Sequence, residues 1–381
     1  MECDTKEFKC DFCGSELEEI YVPVGTQRGS VVFICNSCGL LQTKYTVPYR
    51  SSYEDIRISC DADWGNVRYG KKFSLTRSKS FIVNLVSNAK TILDIGSNRG
   101  AFVKFVREIN KECDIVAVEP DCRLIDYEKL ADVYKGKFEN FDYNSTFDFI
   151  YCSHTLEHAD NLYVFVDKLK EVMSNETYLF LEVPNIEGIS EKTLVEELFI
   201  DKHVYHFHPE VLANILEAYD FEIIDMSVNR FDMWFLLRKG NENKEGSIRV
   251  GSVVGILKNL VRGYSARLSI NRDKLADAFR GLSCYNKVAF WGCSRIFDAI
   301  IKYGKFPREK IVAAVDSFLP DFVSEVSGVP ISKPADVLDV KPELFIISAR
   351  SFSESIRSDI VRYFGEVKTL SFTDIMMGRI K

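Results

Sequence analysis

Histidine is scarce in this chain, and its five copies fall into two short groups. One group is His154 and His158, in the stretch SHTLEH, and the other is His203, His206 and His208, in KHVYHFH. Imidazole is a common metal ligand, and its unperturbed pKa of about 6.5 makes it a proton acceptor near neutral pH. The grouping is compatible with a metal centre, a buried proton-transfer site or coincidence, and the rest of the chain has to decide among them.

Four of the eleven cysteines form two C-x-x-C pairs near the start of the chain. Cys10 and Cys13 form CDFC, and Cys35 and Cys38 form CNSC, with 21 residues between the pairs. This spacing predicts a zinc ribbon, in which two tight turns each supply two thiolates to one tetrahedral ion. A redox dithiol pair is the alternative. Four thiolates leave no open coordination position, so the predicted Zn²⁺ is structural.

Residues 90–109, KTILDIGSNRGAFVKFVREI, predict a buried strand, a glycine-rich turn and a helix. In dinucleotide-binding proteins such glycines let the backbone approach a pyrophosphate. Here Asp94 lies directly at the turn, where a carboxylate would repel a pyrophosphate but suits a ligand that carries an ammonium group. Glu119 ends the next strand, roughly 20 positions after the turn, where an acid can accept hydrogen bonds from ribose hydroxyls.

The stretch around Asp94 resembles the first motif of class I S-adenosylmethionine (SAM)-dependent methyltransferases. The resemblance implies SAM as the cofactor and places Glu139 and Asn140 at the adenine. The cofactor-binding residues that it implies are Asp94, Gly96, Ser97, Asn98, Gly100, Glu119, Pro120, Glu139, Asn140, Ser153 and Tyr49.

The elements around this turn predict an α/β fold. An amphipathic helix over 74–88 leads into a series of strands that alternate with helices, and an antiparallel pair closes the series. Alternation of this kind is typical of a doubly wound, Rossmann-like sheet with a closing hairpin. The strands are predicted within 90–95, 114–120, 147–158, 176–185, 221–229 and 232–240.

The last part of the chain predicts a second, smaller α/β domain. A helix over 253–282 is followed by a strand, turn and helix over 286–304 and by strands over 310–318 and 342–350. Its turn contains only one glycine, Gly292, whereas a phosphate-binding loop usually contains several. Ser294 or Arg295 could still help a helix N-terminus hold a phosphate of the substrate. The alternative is a stabilising lid or a dimer surface.

The order of these parts resembles the sugar C-methyltransferases that act on nucleotide-linked deoxy-keto-hexoses. The resemblance covers nearly the whole chain and implies C-methylation of a nucleotide-activated sugar, with the C-terminal domain helping to hold it. One departure concerns the family's Tyr-His-Glu-His run, which is here Tyr205-His206-Phe207-His208. An O-methyltransferase acting on a sugar or natural product is therefore the alternative. A non-catalytic, SAM-binding zinc-ribbon interaction protein is the alternative of another class.

Both histidine groups follow strands, so they are predicted at the carboxyl edge of the sheet, where open α/β folds bind ligands. A metal is not favoured there, because no further acid or cysteine completes a familiar ligand spacing. Packing or capping is predicted for His158, and a helix-edge position for His203. The predicted catalytic residues, which deprotonate the acceptor or stabilise its oxygen, are His206, His208, Tyr205 and His154.

Composition sets the remaining expectations. A net charge of −7 argues against a nucleic-acid partner, and no apolar run is long enough for a membrane helix. The polar, acidic N-terminus predicts a cytoplasmic protein with reduced cysteines. The expected partner is a small-molecule substrate, and the oligomeric state is left open. Four parts are predicted: a zinc-binding module at 1–72, a methyltransferase domain at 73–245, a helical connector at 246–283 and a Rossmann-like domain at 284–381.

Overall fold

The structure is a computed structural model. It describes residues 8–23, 29–45, 72–121, 125–189, 193–194, 196, 199, 203–240, 253–321, 323–349 and 352–379. Contacts divide the chain into two compact units. Unit 1 contains 1–53, 69–190 and 198–263, and unit 2 contains 54–68, 191–197 and 264–381.

The described helices fit the predicted alternation with strands. They are α1 (Lys72–Asn88), α2 (Ala101–Ile109), α3 (Leu162–Glu171), α4 (Pro209–Ala218), α5 (Val253–Arg280), α6 (Arg295–Tyr303), α7 (Ser353–Phe364) and α8 (Phe372–Met376).

The described strands form four sheets. They are β1 (Leu17–Tyr21), β2 (Ser30–Cys35), β3 (Leu41–Tyr45), β4 (Thr91–Ile95), β5 (Asp114–Val118), β6 (Asp132–Tyr134), β7 (Phe147–Ser153), β8 (Met173–Pro184), β9 (Tyr205–His206), β10 (Phe221–Val228), β11 (Asp232–Lys239), β12 (Val288–Trp291), β13 (Ile311–Val315), β14 (Glu325–Val326), β15 (Val329–Pro330), β16 (Leu344–Ile347) and β17 (Thr369–Ser371).

The central sheet of unit 1 has seven strands in the order β10-β11-β8-β7-β4-β5-β6. The five strands from β8 to β6 run parallel, whereas β10 and β11 pair antiparallel with each other and β11 pairs antiparallel with β8. The strand order reverses between β4 and β7. In open α/β sheets, this switch point opens a crevice at the carboxyl ends of the strands. The predicted doubly wound sheet with a closing hairpin is confirmed.

Hydrophobic patterning explains this sheet. Strand β4 is buried along almost its whole length, as expected for a parallel strand covered on both faces. Helix α2 buries Phe102, Val103, Phe105 and Val106, which recur at helical spacing. The ring of Phe102 stacks on Tyr151 of β7 with the centroids 4.1 Å apart. Full burial of such a side chain stabilises a fold by about 1.5–3 kcal/mol, so this packing holds the turn between β4 and α2 in place.

The cysteine-rich segment forms a second sheet in unit 1, in the order β1-β2-β3-β9. Strands β1, β2 and β3 form an antiparallel meander. The short strand β9 comes from the histidine run near position 205 and pairs antiparallel with β3, with Leu41 opposite His206 and Gln42 opposite Tyr205. The predicted catalytic run is therefore part of the cysteine sheet.

Unit 2 contains a four-stranded parallel sheet in the order β13-β12-β16-β17. Its core includes Phe290 and Phe297, whose rings meet edge to face, on β12 and α6. Gly292, with φ of 98°, leads from β12 towards α6. The carboxylate of Asp316, which follows β13, accepts a hydrogen bond of 2.9 Å from the Cys293 N–H. The predicted second α/β sheet is present, while the four-part division of the chain stays a prediction.

Across the described ranges, no helix has the length and apolar character that a membrane span requires.

Candidate functional site

The turn after β4 is held by a carboxylate from the neighbouring strand. Glu119, which is 5% exposed, accepts hydrogen bonds from the Asn98 N–H at 2.7 Å and the Asp121 N–H at 2.8 Å. The turn itself needs left-handed backbone at Gly96, Asn98 and Gly100, with φ of 67°, 52° and 66°. Glycine, and to a lesser degree asparagine, adopts these angles readily. The sequence pattern therefore matches the backbone that the structure shows.

Close packing fixes the end of this turn. A Cβ atom on Gly100 would lie 2.4 Å from the ring of Tyr127, so only glycine fits there without a shift. The Tyr127 hydroxyl is hydrogen-bonded to the Ser97 hydroxyl. Tyr127 is buried, and it was not among the residues that sequence reasoning selected. Its signal in the sequence is weak, since it lies in the segment between β5 and β6.

Asp94 lies on β4, beside Ala117 of β5 and Tyr151 of β7, and is 1% exposed. Asp94 and Glu119 thus bring two buried carboxyl groups to the same edge of the sheet. Such a pair suits a ligand with a positive charge and vicinal hydroxyls, as SAM has, so the chemistry of the donor set fits the predicted cofactor.

The other predicted cofactor residues have local partners. A Glu139 carboxylate oxygen accepts from the Asp160 N–H at 2.8 Å, and the Asn140 carbonyl accepts from the Tyr134 hydroxyl at 2.9 Å. Ser153 donates to the Glu182 carboxylate at 2.7 Å. Pro120 follows Glu119 and is half-buried, and Tyr49 lies outside the described residues. Their contact with a cofactor stays a prediction.

His154 begins the loop after β7, next to the turn that follows β4. Its neighbour Thr155 donates a 3.0 Å hydrogen bond to the carbonyl of Ile95, which ends β4. The His154 Nδ1 lies 3.5 Å from Glu157 Oε1, and its Nε2 lies 3.5 Å from Asp232 Oδ1. Burial alone would lower the pKa of His154, but these carboxylates and Glu182 outweigh that penalty and raise it. The side chain keeps 27% of its surface exposed.

Glu157 is a buried acid that sequence reasoning did not select. Burial would raise its pKa, but the interaction with His154 and the charges of His158 and His203 lower it to about 2. The backbone joins the two histidine groups here, because the Val204 N–H donates to the Glu157 carbonyl at 2.8 Å. A buried carboxylate thus lies between histidines that the sequence separates by about 45 positions.

Tyr205, His206 and His208 have structural contacts. The Tyr205 hydroxyl donates to Asp11 at 2.9 Å and accepts from the Leu162 N–H at 3.0 Å. His206 is 4% exposed, and its Nε2 is 2.7 Å from the Thr43 hydroxyl.

Burial lowers the pKa of His206 to about 3. His208 caps α4, because its Nδ1 accepts from the Glu210 N–H at 3.2 Å. The catalytic roles predicted for these residues stay predictions.

The four predicted zinc ligands converge in unit 1. The Sγ atoms of Cys10, Cys13, Cys35 and Cys38 all lie within 4.8 Å of one another, with a Cys10–Cys38 distance of 3.7 Å and a Cys13–Cys35 distance of 3.4 Å. Zn–S bonds of about 2.3 Å in a tetrahedron place sulfurs about 3.8 Å apart. The thiol set therefore fits a tetrahedral Zn²⁺. Gln42 Nε2 donates to the Cys10 sulfur at 3.0 Å and connects the cluster to β3.

The mixed sheet, the glycine turn and the acid on the next strand together define a Rossmann-like, class I nucleotide-binding domain. Residues 74–226 match the family described as "Methyltransferase domain". The chain thus carries a class I SAM-dependent methyltransferase domain, as the sequence predicts.

The chain is similar to two curated plant enzymes. It is 30% identical over 162 residues to the (S)-tetrahydroprotoberberine N-methyltransferase of Eschscholzia californica. This alignment covers 39% of this chain and 45% of that protein. It is 26% identical over 106 residues to a probable (S)-tetrahydroprotoberberine N-methyltransferase 2 of Papaver bracteatum, covering 26% of this chain and 30% of that protein. The chain thus spans less than half the length of these relatives.

The comparison with solved structures finds similarity to a SAM-dependent methyltransferase from Archaeoglobus fulgidus. It is 17% identical, covers 46% of this chain and 98% of that one, and has a TM-score of 0.38.

Proposed function

We propose that this protein transfers a methyl group from SAM to a small-molecule acceptor at the carboxyl edge of the central sheet. The observation that carries the proposal is the joint placement of Asp94, Glu119 and His154 around the switch point between β4 and β7. The two acids suit the cofactor, and the histidine suits the acceptor. The same crevice can therefore hold a methyl donor and a deprotonating group side by side.

The chain's own residues position the cofactor. Glu119 uses one lone pair on each oxygen for the backbone N–H groups of Asn98 and Asp121 and keeps others for ribose hydroxyls. Asp94 supplies the negative charge for the ammonium group of the cofactor. When bound, SAM supplies a methyl group activated on a sulfonium.

His154 accepts the proton of the acceptor in this proposal. Glu157 and Asp232 flank its two ring nitrogens at 3.5 Å each, which orients the imidazole and stabilises the imidazolium. Of the predicted catalytic residues, His154 is the one that combines partial exposure with a position at the switch point. Tyr205 and His206 then contribute by joining β9 to the cysteine sheet.

The cysteine cluster holds a structural Zn²⁺ in this proposal. Its four thiolates fill the coordination shell, so the ion takes no part in methyl transfer. Its contribution is to fold a small sheet that has little core of its own. The sheet is joined to the methyltransferase domain through the β3–β9 pairing.

The first candidate acceptor is a nucleotide-activated sugar methylated at carbon. The order of the cysteine module, the SAM motif and the C-terminal α/β fold supports it, by resemblance to the sugar C-methyltransferases. The absence of a carboxylate between His206 and His208 sets this chain apart from that family, and it gives the oxygen-methylating alternative its support.

The second candidate acceptor is an amine methylated at nitrogen. Among the described residues, five carboxylates lie at the carboxyl edge of the sheet, and a cationic amine is attracted to such a site while a diphosphate is repelled. Similarity to plant N-methyltransferases supports the same candidate. The five residues are Asp94, Glu119, Glu157, Glu182 and Asp232.

Calorimetry tests the cofactor part of the proposal. Titration with SAM and with S-adenosylhomocysteine is expected to show binding, and Glu119→Gln to weaken it by roughly 10–100-fold, the worth of one charge-assisted hydrogen bond of about 1.5–3 kcal/mol. The exposed Glu112→Gln is the matched control. A Glu119→Gln protein that binds as tightly as the control would refute the role of the acid pair.

Labelled SAM tests the acceptor part. The protein is incubated with nucleotide-sugars, with hydroxylated natural products and with tertiary amines, and NMR locates the methyl group on carbon, oxygen or nitrogen. His154→Gln is expected to lower turnover by about 10²–10⁴-fold while cofactor affinity is kept. Cofactor binding without turnover on any acceptor class would identify a non-catalytic SAM-binding protein instead.

A further inference from the structure

Glu157 is a buried carboxylate whose closest charged neighbours are imidazoles. The residue is 1% exposed, and neither carboxylate oxygen has a hydrogen-bond partner of good geometry among the described residues. The nearest groups are imidazoles, with His154 Nδ1 at 3.5 Å and His158 Nε2 at 3.9 Å. A buried carboxylate is costly unless it is hydrogen-bonded, paired with a charge or bound to a metal.

Two histidines complete a ligand set around this carboxylate. One ligand atom from each of Glu157, His158 and His203 lies within 4.8 Å of the others. The rings of His158 and His203 have centroids 4.8 Å apart and an interplanar angle of 58°. Both histidines are half-buried, so a small ion can reach the cluster from solvent.

We propose that Glu157, His158 and His203 bind a divalent transition-metal ion, distinct from the one at the cysteines. Two imidazoles and one carboxylate suit Zn²⁺, Fe²⁺ or Co²⁺, whereas Mg²⁺ and Ca²⁺ prefer oxygen ligands. Bonds of about 2.0–2.2 Å require the three ligand atoms to come within roughly 3.3–3.6 Å of one another. Metal binding at that spacing requires rotation of the two half-buried imidazoles.

The ion would have open positions and would lie beside His154, because Glu157 contacts that imidazole as well. A ligand set of this kind leaves room for water or for an oxygen or nitrogen atom of a bound molecule. The sequence does not predict this site because its ligands are not at a familiar spacing. Glu157 and His158 are adjacent, whereas His203 lies about 45 positions further along the chain.

Metal analysis of the full-length chain tests this proposal independently of methyl transfer. The protein is produced in zinc-depleted medium that contains Co²⁺, so that cobalt occupies both sites. It is then dialysed against metal-free buffer, and bound metal is counted by mass spectrometry. The absorption spectrum of bound Co²⁺ separates the two sites. Co²⁺ at the cysteines shows thiolate charge-transfer bands, whereas Co²⁺ at the histidines shows ligand-field bands and no charge-transfer bands; the latter are called the histidine-type bands.

Glu157→Gln and His203→Asn are expected to lose one equivalent of metal and its ligand-field bands, with affinity at that site reduced at least about 100-fold. Glu112→Gln, an exposed change in the same unit, is expected to keep both. Retained thiolate bands show that a variant is folded. If Glu157→Gln does not fold, His203→Asn still tests the site.

Wild-type protein without the histidine-type bands would overturn the proposal and would assign the imidazoles to neutralising Glu157 as cations. Retention of those bands in both variants would overturn it as well. Cofactor calorimetry on the same samples keeps this outcome separate from that of the proposed function.

Discussion

Buried, neutral His206 makes the protein sensitive to acid in a way that substitution of this one residue should relieve. Its imidazole is 4% exposed and lies 2.7 Å from the Thr43 hydroxyl, between β9 and β3. Burial lowers its pKa to about 3, whereas an unfolded histidine has a pKa of about 6.5. Below pH 6.5 the unfolded chain therefore binds a proton that the folded chain does not, and stability falls as the pH falls.

The size of the effect follows from the difference between these two pKa values. Each pH unit between them shifts the free energy of unfolding by about 1.4 kcal/mol. At pH 4.5, two units below the unfolded pKa, His206 alone removes roughly 3 kcal/mol relative to pH 7.5. That is a large fraction of the roughly 5–15 kcal/mol by which domains are stable.

Urea unfolding of wild type and His206→Gln between pH 4.5 and pH 7.5 measures this term. Glutamine keeps a polar group near Thr43 but does not titrate. Hydrogen exchange of peptides from β3 and β9 follows the sheet that contains the residue. A metal ion lost from the cysteines in acid would affect both proteins alike, so the difference between their pH profiles isolates the histidine.

His206→Gln is expected to lose roughly 3 kcal/mol less than wild type on going from pH 7.5 to pH 4.5. Thr43→Val is the matched control, because it removes the hydrogen-bond partner but keeps the imidazole. It should lower stability by about 1 kcal/mol at every pH and leave the slope unchanged. Parallel profiles for wild type and His206→Gln would show that the imidazole is accessible to protons in the folded state, and would refute the reasoning.

Three further substitutions test the framework of the site. Gly100→Ala places a Cβ 2.4 Å from a buried tyrosine ring at a φ of 66°, so it should cost several kcal/mol in thermal unfolding and weaken SAM binding. The control Gly14→Ala, with a φ of 70° and open space around it, should cost only about 1–2 kcal/mol. Equal losses of stability in the two variants would count against the packing argument. Cys35→Ser should abolish zinc binding and lower the melting temperature of unit 1, while Cys113→Ser, a buried cysteine outside the cluster, should keep its zinc by mass spectrometry. Tyr205→Phe removes a buried hydroxyl that bridges two partners and should destabilise unit 1 by about 1–3 kcal/mol in urea, with methyl transfer preserved; a selective loss of turnover would support its predicted catalytic role instead.

Local pattern was enough to predict most of the elements and the backbone of the turn after β4. The helix over 74–88, the closing hairpin and the turn from Asp94 to Gly100 each follow from residues that are close together in the chain. Hydrophobic periodicity, the backbone angles of glycine and the spacing of the C-x-x-C pairs are local properties, which can be read without knowing any long-range contact. The methyltransferase domain was therefore visible in the sequence.

The partners of the histidines depended on tertiary structure. Tyr205 and His206 resemble a catalytic run in sequence, but pairing of β9 with β3 places them inside the cysteine sheet. Glu157 looked like an ordinary acid of a common turn, and only the fold brings His203 to it.

The sequence by itself determined which functional side chains are present and which backbone conformation each segment prefers. The burial of these side chains, their pKa values and their ability to coordinate a metal depend instead on contacts between residues far apart in the chain. Only the packing of the sheets decided these contacts.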